Sequence, residues 1–471
     1  MRRCTPSLST TTGRCPVSRD VYRNARELLS FADELNGRHR DDVWGRAEAK
    51  LISQKMNGLP ILTALAILGC APHVAQPSAA EDDANLDPPA SSAPQSSFER
   101  PRAESAAASF AELAASKPAP VVDPAGFDGN RPCGMPEGLH QPDWPTRLEP
   151  TTAQDPSPLL PGTATLAVLP DTQYYIRCRN GHLRKQRTWI ETERSNRNIR
   201  GVLTLGDLTE SNTESEWQFF RDSLAPLDST LPIVLALGNH DYGDGGTANH
   251  RVSLFEKYFQ PSFTHPSRSL LETLEPSSLE NALYSIAVGP AQLGVLVLEW
   301  SPRERTVKWA NDILARHPKL RTIVVTHAFL YSDDTRYDYK TLHDKQAWNP
   351  LAYRTAAPHD ILRSAHDGEM LWQELVKKHA NVFLVLSGHV LNDGTGRLTS
   401  RGDQGNLVHQ LLSNYQMLDE GGLGYLRLLE FLPDGRTLRV KTYSPSLGVF
   451  ATALDQDFKL QIIPALWSSV K

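Results

Sequence analysis

Five short polar clusters, each at the end of an apolar run, constrain the fold of this chain more than any other feature. The runs are rich in Val, Leu and Ile and have the length of strands that are buried on both faces. In sheets of this kind, ligands bind just beyond the carboxyl ends of the strands. The runs and the clusters that follow them are ATLAVLP (164–170) with Asp171-Thr172-Gln173, GVLTL (201–205) with Gly206-Asp207, PIVLAL (232–237) with Gly238-Asn239-His240-Asp241, RTIVV (321–325) with Thr326-His327, and NVFLVL (381–386) with Gly388-His389.

The side chains in these clusters indicate a metal site. Five strands would bring Asp, Gln, Asn and His to one rim, a set of oxygen and imidazole ligands without a thiolate. This set suits a hard or borderline pair of divalent metal ions. Asp171 and Gln173 alternate along the chain, so both can point to the same side. Two roles stay open for Gln173, a metal ligand through its amide oxygen or a hydrogen-bonding partner of a ligand.

Helical patterns lie between the apolar runs, at 182–196, 214–227, 303–317 and 368–380. Strands that alternate with helices predict an α/β fold with helices that cover a sheet. Residues 425–433 and 437–444 are joined across a Pro-Asp-Gly turn and predict a hairpin, so the sheet is expected to be mixed.

The order and spelling of the five clusters resemble the calcineurin-like metallophosphoesterase family. That family carries Asp-x-His, Gly-Asp, Gly-Asn-His-Asp/Glu, a lone His after a strand, and Gly-His-x-His. The resemblance spans about residues 162–446, and the Asp-Thr-Gln spelling resembles one branch of the family. Gln173 stands where the first motif has His, and Leu391 where the last motif has its second His. The resemblance implies two facing mixed sheets flanked by helices, a four-layer αββα sandwich.

The resemblance also implies a role for each cluster residue. Two divalent ions (Mn, Fe, Zn or Mg) would be held by Asp171 and Gln173 at the first site, by Asn239, His327 and His389 at the second, and by Asp207 between them. A hydroxide shared by the ions would attack the phosphorus of a small phosphorylated substrate. His240 would protonate the leaving group while Asp241 holds one of its ring nitrogens. Four residues beside the clusters are candidates for the substrate pocket, namely Tyr174, Tyr175, Glu210 and Tyr242.

The two departures from the family both fall on the first ion, which is therefore predicted to bind more weakly than the second. Asn392 and Asp393, next to Leu391, are candidates to supply an oxygen in place of the absent imidazole. Loss of a metal ligand also keeps an alternative open, an envelope binding or interaction protein on the same scaffold. The presence of His240 favours the enzyme, because binding alone needs no proton donor.

The bulk composition excludes some partners. The formal net charge of −5 and a pI near 6.3 give no basic footprint for nucleic acid, so no nucleic-acid partner is expected. Five cysteines form neither a zinc spacing nor a dense disulfide framework. No Gly-x-Ser-x-Gly motif is present, so a serine nucleophile of that type is not expected.

The N-terminal third differs from the rest of the chain. Residues 1–55 are interpreted as a non-globular or mis-assigned extension, and 56–70 as a signal-peptide-like segment whose apolar stretch GLPILTALAILG ends at Cys70. The segment before Cys70 resembles a bacterial lipobox, which predicts a lipid-anchored or secreted protein of the cell envelope; a short buried helix is the alternative. Residues 71–160 hold 16 of the 34 prolines and are interpreted as a disordered linker. The catalytic domain is assigned to 161–446, and residues 447–471 are interpreted as a C-terminal extension that is packed on the domain or trails it. Export would allow Cys133 and Cys178 to pair.

Overall fold

The computed structural model describes residues 141–228, 230–261, 269–342, 345–356 and 364–467. The expectations for residues 1–55, the signal-like segment 56–70, Cys70, Cys133 and the linker up to residue 140 lie outside these ranges. Cys178 is disulfide-bonded, and its partner also lies outside them. No helix in the described part of the chain combines the length and apolar character needed to cross a membrane.

Two mixed β-sheets form the centre of the fold. The strands are β1 (Thr151–Thr152), β2 (Ala164–Leu169), β3 (Ile199–Thr204), β4 (Ile233–Val234), β5 (Leu270–Thr273), β6 (Ala282–Val288), β7 (Ala291–Val297), β8 (Arg321–Val325), β9 (Val382–Ser387), β10 (Thr395–Arg401), β11 (Leu407–Ser413), β12 (Leu426–Phe431), β13 (Thr437–Ser444), β14 (Val449–Ala451) and β15 (Phe458–Gln461). The first sheet has the order β1-β14-β13-β12-β2-β3-β4, with β15 beside β13, and the second has the order β10-β11-β9-β8-β7-β6-β5.

The strands that precede the polar clusters are the parallel members of the two sheets. In the first sheet β2, β3 and β4 run parallel, while β12 and β13 form the expected antiparallel hairpin. In the second sheet β7, β8, β9 and β11 run parallel. Because parallel strands end at the same edge, each sheet presents its clusters along one rim. The predicted α/β fold with two mixed sheets is confirmed.

Helices follow or precede the strands as the sequence periodicity predicts. The α-helices are α1 (Gln173–Cys178), α2 (His182–Glu193), α3 (Glu214–Asp228), α4 (Phe255–Tyr258), α5 (Glu304–Arg316), α6 (Tyr339–Leu342), α7 (Gly368–Glu374) and α8 (Asp419–Gly422), and the 3₁₀ turns are Asn239–Asp241, Asp244–Gly246, Pro350–Ala352, Arg354–Ala356 and Val376–Lys378. The predicted helix at 368–380 is shorter than expected, since α7 ends at Glu374 and a 3₁₀ turn follows.

One contiguous apolar core joins the two sheets. Val202 and Leu203 of β3 are fully buried together with Val295 of β7 and Ile323 of β8. Burial of an aliphatic side chain of this size stabilises a fold by about 1.5–3 kcal/mol. A smaller second cluster contains Leu148, Leu391, Tyr415, Met417, Leu418, Leu423, Tyr425 and Ala451. The large core fixes the relative position of the strand ends that carry the polar clusters.

Short strands outside residues 161–446 pair within the first sheet. Residues 151–152, near the end of the predicted linker, form β1, which pairs antiparallel with β14. Residues 449–451 and 458–461 of the C-terminal extension form β14 and β15 and pair with β13. These short strands lack the long apolar runs from which the central strands could be predicted.

Candidate metal centre

Asp207 lies where three of the polar clusters meet. It follows β3 and Gly206, and its own φ of +48° is in the left-handed region. Its Oδ1 accepts a hydrogen bond of 2.9 Å from the backbone N–H of His240, and its Oδ2 lies 3.2 Å from Nε2 of His327. Asp207 thus contacts a loop of its own sheet and a loop of the second sheet.

Glycines on either side make this approach possible. A Cβ at Gly206, whose φ is +105°, would lie 2.3 Å from Nδ1 of His327. A Cβ at Gly238 would lie 2.1 Å from Oδ1 of Asp207. Both separations are shorter than van der Waals contact, so only glycine fits at these two positions.

His327 and His389 present two nitrogen lone pairs to each other. Nδ1 of His327 lies 2.7 Å from the carbonyl oxygen of Leu205, and Nε2 of His389 lies 2.8 Å from that of Trp348. A carbonyl can only accept a hydrogen bond, so these two ring nitrogens carry the protons. In the neutral rings, Nε2 of His327 and Nδ1 of His389 are therefore unprotonated, and they lie 3.2 Å apart.

These two nitrogens and a carboxylate oxygen of Asp207 form a set of converging acceptors. The three ligand atoms lie within 4.8 Å of one another, and all three residues are buried. Such spacing fits neighbouring ligands of one cation, whose bonds to nitrogen and oxygen are about 2.0–2.2 Å. Hydrogen bonds from the second ring nitrogen to backbone carbonyls are also typical of metal-binding histidines.

The buried carboxylates of this cluster favour a positive charge beside them. Burial opposes the charge of His327, but the carboxylates of Asp207 and Asp171 outweigh it and raise its pKa to about 9. Burial and the charge of His327 lower the pKa of His389 to about 3. The cluster is therefore suited to hold one positive charge among its three possible ligand atoms.

Aromatic rings hold the imidazole of His389 in its orientation. The ring centroid of Trp300 lies 5.1 Å from that of His389, and those of Tyr337 and Tyr353 lie 6.0 and 6.2 Å away. His389 itself has a φ of +74°, which few residues other than glycine adopt. This packing fixes the direction of its Nδ1 lone pair.

Two amide oxygens in the predicted ligand set lack a hydrogen bond. Oε1 of Gln173 and Oδ1 of Asn239 are buried, and neither has a hydrogen-bond partner in the part of the chain that the structure describes. Buried polar atoms are normally satisfied, so an orphaned acceptor calls for an explanation. Amide oxygens are suitable ligands for hard divalent cations, and the residues present therefore fit a metal site.

Asp171 is the carboxylate of the first cluster, and it contacts the last one. Its Oδ2 accepts a hydrogen bond of 3.0 Å from the backbone N–H of His389 and another of 3.0 Å from Nδ2 of Asn414. Burial and the nearby charge of Asp207 raise its pKa to about 7, although His327 opposes the shift. Asn414 directly follows β11 and lies in none of the five motifs, so the sequence does not predict this contact.

The expected contact between Asp241 and His240 is wrong. The carboxylate of Asp241 accepts hydrogen bonds from the backbone N–H groups of Leu208, Thr209 and Gly238 and from the Thr209 hydroxyl. Asp241 therefore braces the loop that carries Asp207. Nδ1 of His240 instead lies 2.8 Å from the carbonyl oxygen of Glu210, a backbone partner for which the sequence offers no signal.

The four pocket candidates have different environments. Tyr174, Tyr175 and Tyr242 are all buried, and the hydroxyls of Tyr175 and Tyr242 are engaged with Gly424 and Glu280. These three residues therefore offer little surface to a substrate. Glu210 pairs with Arg177 at 3.2 Å, and the guanidinium of Arg177 also lies 4.5 Å from the ring centre of Tyr174. Glu210, which also supplies the carbonyl to His240, is the candidate with a direct link to the site.

The side chains around Leu391 have other neighbours. Leu391 is buried in the second apolar cluster. Nδ2 of Asn392 donates a hydrogen bond to Ser332, and Oδ1 of Asp393 accepts one from the backbone N–H of Thr395. That one of them supplies an oxygen to the first ion stays a prediction. The loop after β11 contacts Asp171 through Asn414.

One family model and one relative match the sequence of this chain. Residues 164–393 match the family model of the calcineurin-like phosphoesterases. The uncharacterized protein YvnB of Bacillus subtilis is 29% identical over 300 residues, which are 62% of this chain and 21% of YvnB. The chain thus matches about a fifth of the length of that relative.

Two solved structures resemble the chain at low sequence identity. GAP50, described as the anchor in the inner membrane complex of Plasmodium, has 14% identity and a TM-score of 0.36, with 64% of this chain and 90% of that chain covered. The NAD nucleotidase NadN of Haemophilus influenzae has 9% identity and a TM-score of 0.32, with 64% of this chain and 50% of that chain covered.

Proposed function

Since residues 164–393 belong to the calcineurin-like phosphoesterase family, we propose that this protein is a metal-dependent hydrolase of phosphate esters with a two-ion centre. The observation that carries the proposal is the convergence of three possible ligand atoms, one each from Asp207, His327 and His389. The orphaned amide oxygens of Gln173 and Asn239 add to it. Together these residues form a ligand set of oxygen and nitrogen for divalent cations.

The chain would divide its ligands between the two ions. We assign Asn239, His327 and His389 to one ion, Asp171 and Gln173 to the other, and Asp207 to both. When bound, the ions supply Lewis acidity that polarises the phosphoryl group and activates water. Mn, Fe, Zn and Mg all accept these oxygen and nitrogen ligands, and metal analysis of the purified protein identifies the ions.

His240 is assigned as the proton donor to the leaving oxygen. Its backbone N–H donates a hydrogen bond to Oδ1 of Asp207, and its Nδ1 lies at the carbonyl oxygen of Glu210. These two contacts orient the ring, and Nε2 is the nitrogen that we assign to proton transfer. Burial opposes the charge of His240, but Asp207 and Glu210 outweigh it and raise its pKa above the ordinary value. A protonated imidazole in this position can donate a proton to a departing alkoxide.

The proposal is tested with a panel of chromogenic phosphate monoesters and diesters. Purified protein should hydrolyse at least one of them, lose that activity in EDTA, and regain it with one or more of Mn²⁺, Zn²⁺, Fe²⁺ and Mg²⁺. An Asp207→Asn variant should stay inactive at all metal concentrations. Protein that binds metal but hydrolyses no ester would support the alternative, an interaction protein on this scaffold.

We also propose that the protein is anchored in the cell envelope through a lipid on Cys70. The support is the sequence alone, the apolar stretch before Cys70 and the proline-rich segment after it. Expressed protein should partition with membranes, and Cys70→Ser should abolish the mass of the attached lipid. Intact mass would also show whether the disulfide of Cys178 is formed with Cys133. A mature protein without lipid would contradict the anchor.

A further inference from the structure

The loop that follows β11 reaches the candidate metal centre. β11 runs parallel to β9, with Leu412 opposite Ser387, so the residues after both strands emerge at the same rim. His389 follows β9, and Asn414 follows β11. A sixth strand end thus contributes to the site, in addition to the five that carry the motifs.

The side chain of Asn414 is fully buried and held from two sides. Its Nδ2 donates a hydrogen bond of 3.0 Å to Oδ2 of Asp171. Its Oδ1 accepts one of 3.0 Å from the backbone N–H of Gln416. The second bond fixes which end of the amide faces Asp171, because an N–H group can pair only with the amide oxygen.

This contact suits a carboxylate that must bind a cation. Oδ2 of Asp171 accepts hydrogen bonds from Asn414 and from the backbone of His389. Among the described residues, Oδ1 has only the longer contact of 3.3 Å to the same His389 N–H. Oδ1 is therefore the oxygen that is less occupied by hydrogen bonds. A neutral donor orients the carboxylate without adding a competing charge.

Leu391 stabilises the loop that carries Asn414. It packs in the second apolar cluster with Tyr415, Met417 and Leu418 of that loop. The backbone N–H of Asn414 also donates to the carbonyl of Gly394, and the N–H of Gly394 donates to that of Leu391. The apolar residue at position 391 thus supports the loop of Asn414 rather than the metal itself.

We propose that Asn414 is a positioning residue of the metal centre, which orients Asp171 as a ligand, and that Leu391 anchors the loop that holds it. This inference rests on the proposed metal-dependent function. It also accounts for the departure from the family at position 391. Where the family has a metal-binding His, Leu391 instead packs against the loop that carries Asn414. Asn414 touches neither substrate nor reacting atoms in this scheme.

The test is Mn²⁺ binding to the EDTA-stripped full chain, measured by calorimetry. Asn414→Ala should weaken binding of one ion by about 10- to 100-fold, the usual effect of removing a partner of a ligand. Asn414→Asp should weaken it further, since two carboxylates would face each other. Saturating Mn²⁺ should restore most of the turnover of Asn414→Ala, which a misfolded variant could not show.

The matched control is Asn381→Ala, which should leave the Mn²⁺ affinity at the wild-type level. Asn381 is a buried amide that bonds to the backbone of Leu314 and His317, and it lies at the opposite end of β9 from His389. Wild-type affinities in both Asn414 variants would overturn the inference while leaving the proposed function intact. A wild-type protein that binds neither Mn²⁺ nor Zn²⁺ would overturn both.

Discussion

Nε2 of His327 lies 3.2 Å from Nδ1 of His389, and in the neutral rings neither atom carries a proton. Backbone carbonyls of Leu205, after β3 of the first sheet, and of Trp348, in the segment between β8 and β9 of the second sheet, fix both tautomers. A bound cation would take up both lone pairs together with a carboxylate oxygen of Asp207, so metal binding and the local geometry are expected to be coupled.

Gly206 offers a steric test of this geometry. A Cβ at Gly206 would collide with the His327 ring, so Gly206→Ala should weaken metal binding and destabilise the protein by about 1–3 kcal/mol. Gly405→Ala is the control, because Gly405 also has a positive φ but has nothing within 4 Å of its Cβ position. Calorimetric metal titration and urea unfolding of both variants give the comparison. Equal effects of the two substitutions would leave only backbone strain as the cause.

His240 and Asp241 should separate catalysis from stability. His240→Gln should lower turnover by about 100-fold or more, the range of a lost general acid, while the metal content stays at the wild-type level.

Asp241→Ala should instead destabilise the protein by about 3 kcal/mol or more, because it leaves three backbone N–H groups of buried loops without their acceptor. Turnover, metal content and urea unfolding are measured for both. An Asp241→Ala protein of wild-type stability would show that the loop is held in another way.

Glu280 predicts a pH dependence of stability away from the ligands. Its carboxyl accepts a hydrogen bond from Tyr242 and is flanked by Glu299, Arg303 and Arg251. Burial and the charge of Glu299 raise its pKa from 4.5 to about 7. The unfolded chain therefore releases this proton first as pH rises, and the stabilising contribution is lost between about pH 4.5 and 7.

Glutamine does not titrate, so Glu280→Gln does not undergo this loss of stability. The free energy of unfolding of the variant, relative to that of the wild type, should therefore be higher at pH 8 than at pH 5. The free energy of unfolding in urea at the two pH values measures the effect. Glu275→Gln is a control, since Glu275 lies on the surface beside Arg305. A difference between Glu280→Gln and the wild type that is equal at both pH values would refute the assignment.

The sequence allowed prediction of those site residues that follow long apolar strands. Asp171, Asp207, His327 and His389 do so, and the structure brings their side chains or loops into contact. Asn414 could not be found in the same way, because β11 contains His409 and Gln410 and so lacks a continuous apolar run. The carbonyl partners of His240, His327 and His389 belong to the backbone, which any residue type supplies. The role of Leu391 depended on tertiary packing that no local pattern encodes.

The most direct test of the account is a metal titration that follows binding and hydrolysis together. EDTA-stripped wild-type protein is titrated with Mn²⁺ or Zn²⁺ while the hydrolysis of its best chromogenic ester is recorded. We predict that hydrolysis returns in step with bound metal, and that His389→Ala loses both while His317→Ala, which removes a histidine paired with Glu272, keeps both. Full hydrolysis by protein shown to be metal-free, or undiminished metal binding by His389→Ala, would contradict the central claim.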